Sequence, residues 1–219
     1  MLPIPSDVGD IHGVASCPAP HECLYLLYGS TGRPREGSAL ASDLARSPDA
    51  GRTWQASLPV PAGALYYPAA FAVAPDDPEQ VVLSGDPGLV ETRDGGHTWS
   101  SLEVPGAPRV GSVALFPGGV RIVASENLGV PADIVVRSTD DGASWTELDT
   151  DPGKLFVSHA HPDTAIVFGP FIPLSKDRGS TWSRISPESD FVIGFSNIAD
   201  TPDGRFIASA DQLGFISFE

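Results

Sequence analysis

Five acids, Asp10, Asp86, Glu126, Asp190 and Asp211, stand in separate stretches of a 219-residue chain. Two carboxylates about 5 to 10 Å apart across one glycosidic bond would make a glycoside hydrolase, one acting as acid and the other as nucleophile or base. No spacing in the sequence selects a pair among the five. Arg33, Arg35 and Arg109 are cations able to grip a carboxylate through two parallel hydrogen bonds. Tyr66 and Tyr67 in GALYYPAAF could present one ring to a ligand while the other packs inside, because successive strand residues face opposite ways. His159 and His161 in SHAHPD are spaced to share one side of a strand, but no third ligand stands nearby. They are read as turn residues, and no metal is expected there. Cys17 and Cys23 in CPAPHEC admit two readings, a disulfide across a short loop in an exported protein or two thiols in a reducing compartment. An extracytoplasmic location follows if the two are joined.

The elements that must position these residues are short. Gly (23) and Pro (22) make about a fifth of the chain, and 41% is apolar, which suits many strands joined by turns within one domain. A net charge of −15, from 28 acids against 13 bases, repels phosphate backbones and anionic lipid, so neither nucleic acid nor a membrane surface is an expected partner.

Self-similarity organises the chain. SPDAGRTW, TRDGGHTW, STDDGASW and SKDRGSTW end at Trp54, Trp99, Trp145 and Trp182, and these four boxes hold every tryptophan of the protein. Each runs Ser/Thr, any, Asp, any, Gly, any, Thr/Ser, Trp. The carboxylates of Asp49, Asp94, Asp140 and Asp177 are suited to accept backbone N–H groups of their own turns, Gly51, Gly96, Gly142 and Gly179 to adopt conformations barred to other residues, and the Trp to plug the hairpin into the interior. The boxes are therefore read as structural. Between them recurs an apolar strand, a turn and a second apolar strand, as in AAFAVAPDDPEQVVLSGD and GSVALFPGGVRIVASE. Each unit then reads as a four-stranded antiparallel meander of some forty residues, the blade of a β-propeller.

With these boxes the sequence resembles the Asp-box family, also called bacterial neuraminidase repeats, which occur in sialidases, some endoglucanases, sortilin-type receptors and photosystem II assembly factors. The resemblance implies an all-β propeller over nearly the whole chain, with approximate blades at 7–61, 62–105, 106–149, 150–187 and 188–219 plus 1–6. Leu2-Pro3-Ile4-Pro5 matches Leu58-Pro59-Val60-Pro61, so the first residues are expected to complete the last blade and close a ring of five. A piece of a larger propeller is the other reading.

The family carries its boxes opposite the ligand face. That places Asp10, Tyr66, Tyr67, Arg109 and Asp190, in connections between blades, on the working mouth, together with Arg33, Arg35, Asp86, Glu126 and Asp211 from loops between second and third strands. Asp86, Glu126 and Asp211 fall at one level of the ring, the one place where calcium could bind; otherwise no cofactor is expected. The aromatic-Arg-Ile-Pro stretch of sialidases is replaced by Leu2-Pro3-Ile4-Pro5, which argues against that chemistry. The expected function is a non-catalytic monomer that holds a glycan or a protein partner. A sialidase-like glycoside hydrolase is the alternative, and an assembly factor like those of photosystem II a third reading.

Overall fold

Short apolar stretches cut by Gly- and Pro-bearing turns do not reach helix length and form strands of two to nine residues instead. The computed structural model describes residues 8–17, 21–30, 42–55, 58–61, 70–84, 88–126, 133–158, 161–168, 172–184, 195–201, 206–210 and 214–218. Sheet 1 comprises β1 (Val8–Ser16), β2 (Leu24–Ser30), β3 (Ser42–Ser47) and β4 (Leu58–Pro59). Sheet 2 has β5 (Phe71–Val73), β6 (Val81–Ser84), β7 (Leu89–Thr92) and β8 (Ser100–Leu102). Sheet 3 has β9 (Val110–Phe116), β10 (Val120–Ser125), β11 (Val135–Ser138) and β12 (Thr146–Glu147). In sheet 4 are β13 (Lys154–Val157), β14 (Ala165–Phe168), β15 (Pro173–Ser175) and β16 (Ser183–Arg184), and in sheet 5 β17 (Phe195–Asp200), β18 (Phe206–Ala210) and β19 (Gly214–Phe218). Every sheet is an antiparallel meander in chain order. Four have four strands and the fifth has three among the described residues. Residues 1–6, expected to add its fourth strand, lie outside them.

The sheets stack face to face, and strand alternation decides which neighbour each side chain meets. In β6, Val81 and Leu83 join Tyr25, Leu27 and Leu44 of sheet 1, whereas Val82 turns the other way, toward Val110 and Val123 of sheet 3. Phe116 and Ile122 meet Leu155 and Val167 between sheets 3 and 4. Between sheets 4 and 5, Ile166 and Leu174 meet Phe206, and the rings of Phe156 and Phe206 cross edge to face with centroids 6.3 Å apart. The box tryptophans follow one rule. Trp99, Trp145 and Trp182 pack into the seam between their own sheet and the preceding one. Trp54 packs with Val8, Leu26, Tyr28 and Ala45 on the side of sheet 1 turned away from sheet 2.

Meander order assigns the loops to two ends. The turns between first and second strands and the boxes share one end; the loops between second and third strands and the sheet-to-sheet connections share the other.

Candidate functional site

At the box end, four turns repeat one hydrogen-bond network. The hydroxyls of Ser47, Thr92, Ser138 and Ser175 each accept the box Gly N–H at 2.7–2.8 Å and donate to the Asp Oδ1 at 2.8–2.9 Å. That carboxylate accepts the N–H of Thr53, Thr98, Ser144 or Thr181 at 2.7–2.8 Å and the same residue's hydroxyl at 2.5–2.8 Å. Bonds to the charged form favour it. The N–H and hydroxyl of Thr98 hold Asp94 down to about 2, and those of Ser144 do the same for Asp140. Asp49 is likewise lowered by Thr53, and Asp177, though raised by burial, is lowered on balance by the N–H and hydroxyl of Thr181. Carboxylates bound this way have no proton to give at neutral pH, so they are not general acids.

The turn needs two successive residues with positive φ. One is the box Gly; the other is the residue before it, Ala50, Gly95, Asp141 or Arg178, at 55 to 69°. The backbone N–H of each reaches a carbonyl in the turn between first and second strands of its own sheet, at Glu22, Glu79, Gly119 and Asp163. The box Gly is needed for space as well: a Cβ on Gly142 would stand 2.9 Å from Leu102, and one on Gly179 2.5 Å from Ile122, both in the preceding sheet.

Sequence reasoning missed what happens one residue before each box. Arg46 reaches forward to Glu79 of sheet 2 at 2.5 Å and lies over the Tyr25 ring. Tyr25 donates to the Pro78 carbonyl at 2.7 Å, and burial pushes its phenol up to about 12 against the pull of Arg46. Glu91, at the same position in sheet 2, pairs with Arg121 of sheet 3 at 2.8 Å; the two are 5% and 1% exposed. Gln80 donates to Glu91 at 2.5 Å, and Asp141 completes the cluster with Arg121 and Arg93. The Asp141 carboxyl, though raised by burial, is held low on balance by these two guanidiniums. Arg137 donates to the Arg178 carbonyl at 2.7 Å and to Ser180 at 3.0 Å. Its counterpart Leu174 faces Phe206. The legible signal was a lone charge in each of two apolar strands, Glu91 in LVET and Arg121 in VRIVAS.

Cys17 and Cys23 are joined by a disulfide, with Cα atoms 5.1 Å apart. Both are buried between sheets 1 and 2. The Cys17 N–H also bonds the Cys23 carbonyl at 2.9 Å, and sibling turns close with the same bond at Ala74–Gln80 and Ser158–Thr164.

At the other end, Arg109 and Glu126 come together. Arg109 leads into β9 and Glu126 follows β10, whose ends meet at Val110 and Ser125. The Glu126 N–H donates to the Arg109 carbonyl at 3.0 Å, and Gly88 of the preceding sheet bonds Pro108 at 2.8 Å and bridges to Arg109. Both side chains are exposed, and no salt bridge joins them among the described residues. Asp10 is exposed on β1, where two register shifts bracket Ile11. Asp151 pairs with Arg184 at 3.0 Å. Arg33, Arg35, Tyr66, Tyr67, Asp86, Asp190, Asp211 and His159 lie outside the described residues, so the level of three acids is represented by Glu126 alone. His161 stands in a turn, its N–H bonded to the Ser158 hydroxyl at 2.8 Å. No cluster of three metal-ligating side chains occurs among the described residues.

No protein-family model matches the chain. The photosystem II stability/assembly factor HCF136, chloroplastic, of Arabidopsis thaliana is 27% identical over 184 residues, 72% of this chain and 45% of that protein. Its namesake in Oryza sativa subsp. japonica is 26% identical over 184 residues, 72% of this chain and 43% of that one. The chain thus spans less than half the length of these curated relatives. Among solved structures, a GH74 enzyme of Niastella koreensis superposes with a TM-score of 0.65 at 18% identity, covering 90% of this chain and 33% of its own. YCF48 bound to D1 peptide superposes with a TM-score of 0.61 at 17% identity, covering 98% of this chain and 64% of its own. Likeness at that identity establishes the fold: the five sheets are blades of a β-propeller.

Proposed function

We propose that the chain is an Asp-box propeller that binds a protein partner, without catalysis, through the face opposite its boxes. The observation that carries this reading is the stretch of 184 residues shared at 27% identity with a photosystem II assembly factor. YCF48, bound to a D1 peptide, supports the same class of partner. The division of polar groups agrees with it. Box-end carboxylates are occupied by their own turns and seams, whereas Arg109 and Glu126 present one cation and one anion to solvent on a backbone tied across two sheets. Arg33, Arg35, Tyr66 and Tyr67 are proposed to extend this surface. A fixed pair of opposite charges suits an extended peptide, which offers both signs and a regular backbone. The Cys17–Cys23 bond supports an extracytoplasmic compartment, where such bonds persist.

Anisotropy titration of a labelled D1 peptide tests the reading. Saturable binding weakened about tenfold by Arg109→Glu, with melting unchanged, is the expected result. Absence of binding, together with release of reducing sugar from an oligosaccharide that stops in a Glu126→Gln or Asp10→Asn variant, would replace it with glycoside hydrolysis.

A further inference from the structure

We propose that Glu126 takes a lysine or arginine side chain of the bound peptide and that Gly111 is the residue that positions it. This rests on the peptide-binding reading and adds the kind of side chain the mouth selects. The inner strands, which border the central channel of a propeller, pair in a shared pattern. From Ser16–Leu24, Leu115–Arg121 and Asp200–Phe206, three further pairs follow in step, and the inner strand then takes one extra residue. That residue is His12 in β1, Gly111 in β9 and Ser196 in β17; the paired segments of β5 and β13 stop short of this level. A β-bulge bends its strand and re-aims the side chains around it. Three blades therefore bend at one height, at the end away from the boxes.

The bulge itself does not call for glycine. Gly111 has no positive φ, and a histidine and a serine hold the same place in sheets 1 and 5. What glycine provides at 111 is space: a Cβ there would stand 3.0 Å from the Cβ of Glu126 and 3.4 Å from its Oε2. The carboxylate thus lies against bare inner-strand backbone. Its own backbone is fixed, since the Glu126 N–H bonds the Arg109 carbonyl at 3.0 Å, and at Ser125 the N–H donates to the Ile134 carbonyl at 2.9 Å while the hydroxyl accepts the Ile134 N–H at 2.8 Å. In sheet 1 the two places are exchanged: His12 stands where sheet 3 has Gly111, and Gly29, next after Tyr28, where it has Glu126. Sheets 1 and 3 therefore each offer one side chain at this level. Glu126 also differs from the acids of the seams and turns. Glu79, Glu91, Asp141, Asp151 and Asp163 each hold a guanidinium, whereas Glu126 is exposed and meets no cation among the described residues. One carboxylate is too few for a metal, and no cluster of three ligands stands among the described residues. A basic side chain needs only the one, and the net charge of −15 draws basic segments toward it.

Panning a phage-displayed library of random decapeptides on the full chain at physiological salt tests the proposal. Selected peptides are expected to share a Lys or Arg at one position, and its replacement by Gln to weaken binding about tenfold in anisotropy titration. Glu126→Gln should abolish that preference, although it moves the net charge only from −15 to −14, and Glu126→Arg should convert it to Asp or Glu. Gly111→Ala should weaken basic peptides about tenfold in the native chain and leave binding unchanged where Glu126 is already Gln. Equal loss in both backgrounds would mark a packing role and overturn the part given to Gly111. Peptides bound with no basic preference, or a preference that survives in Glu126→Gln, would overturn the proposal and leave peptide binding standing. A library that yields no binder would overturn both.

Discussion

The two ends of the propeller spend their polar residues differently. At the box end, Asp49, Asp94, Asp140 and Asp177 each accept three hydrogen bonds within their own turn, and Arg46, Glu91 and Arg137 each reach into the next sheet. At the other end, Arg109 and Glu126 are joined through the backbone while their charges face water. The most conspicuous motif therefore marks where the fold is held. Variation from blade to blade, free of that duty, is where the proposed partner would be met.

Breaking the box end should cost stability and leave binding alone. The largest effect is expected for Arg121→Ala, which takes from Glu91 its buried cation and leaves it only Gln80 and the exposed Arg93 at 3.1 Å, at a cost of about 3 kcal/mol. Urea unfolding would measure it, and Arg121→Met combined with Glu91→Leu should recover most of the loss. Replacing both Cys17 and Cys23 by Ser should cost about 2 kcal/mol by loosening the unfolded chain across a short loop, with the fold intact. Sibling turns close with the same backbone bond and no disulfide.

Acid sharpens the comparison further. The box carboxylates are lowered in the folded protein, Asp94 and Asp140 to about 2. Their contribution is complete above the ordinary Asp value of about 4 and is lost as pH falls from there through about 2. Melting temperature should drop across that window, and less steeply in Asp140→Asn. The smallest effect is a gain. Ala50 holds φ of 55°, so Ala50→Gly should stabilise by about 0.5–1 kcal/mol. Gly95→Ala should do the reverse, because Gly95 holds φ of 69°, where a Cβ is strained.

The box pattern, its Trp anchors and the meander between them were legible because each is local. Asp, Gly and Thr/Ser at fixed offsets announce a turn, and alternating apolar runs announce strands. The second positive-φ residue was not legible. Three of four boxes place Ala50, Asp141 or Arg178 there, types that do not advertise the conformation, and only Gly95 does. The seam pairs were hidden for another reason. Arg121 meets Glu91 across 30 positions, and nothing in either strand states which sheet its odd residue faces. The two readings of Cys17 and Cys23 could be separated only by register, which puts them at the loop-closing positions held by Ala74–Gln80 and Ser158–Thr164. Of the mouth candidates, Arg109 and Glu126 meet because β9 and β10 pair, a contact that hairpin reading anticipates in outline and that the Gly88 bridge completes.

The most direct test of separate duties at the two ends is to measure D1-peptide affinity and melting temperature side by side in Asp140→Ala and Arg109→Glu. The expected outcome is a crossed pair: Asp140→Ala melts lower and binds normally, while Arg109→Glu melts normally and binds about tenfold more weakly. Loss of binding in Asp140→Ala at normal melting temperature would contradict the account.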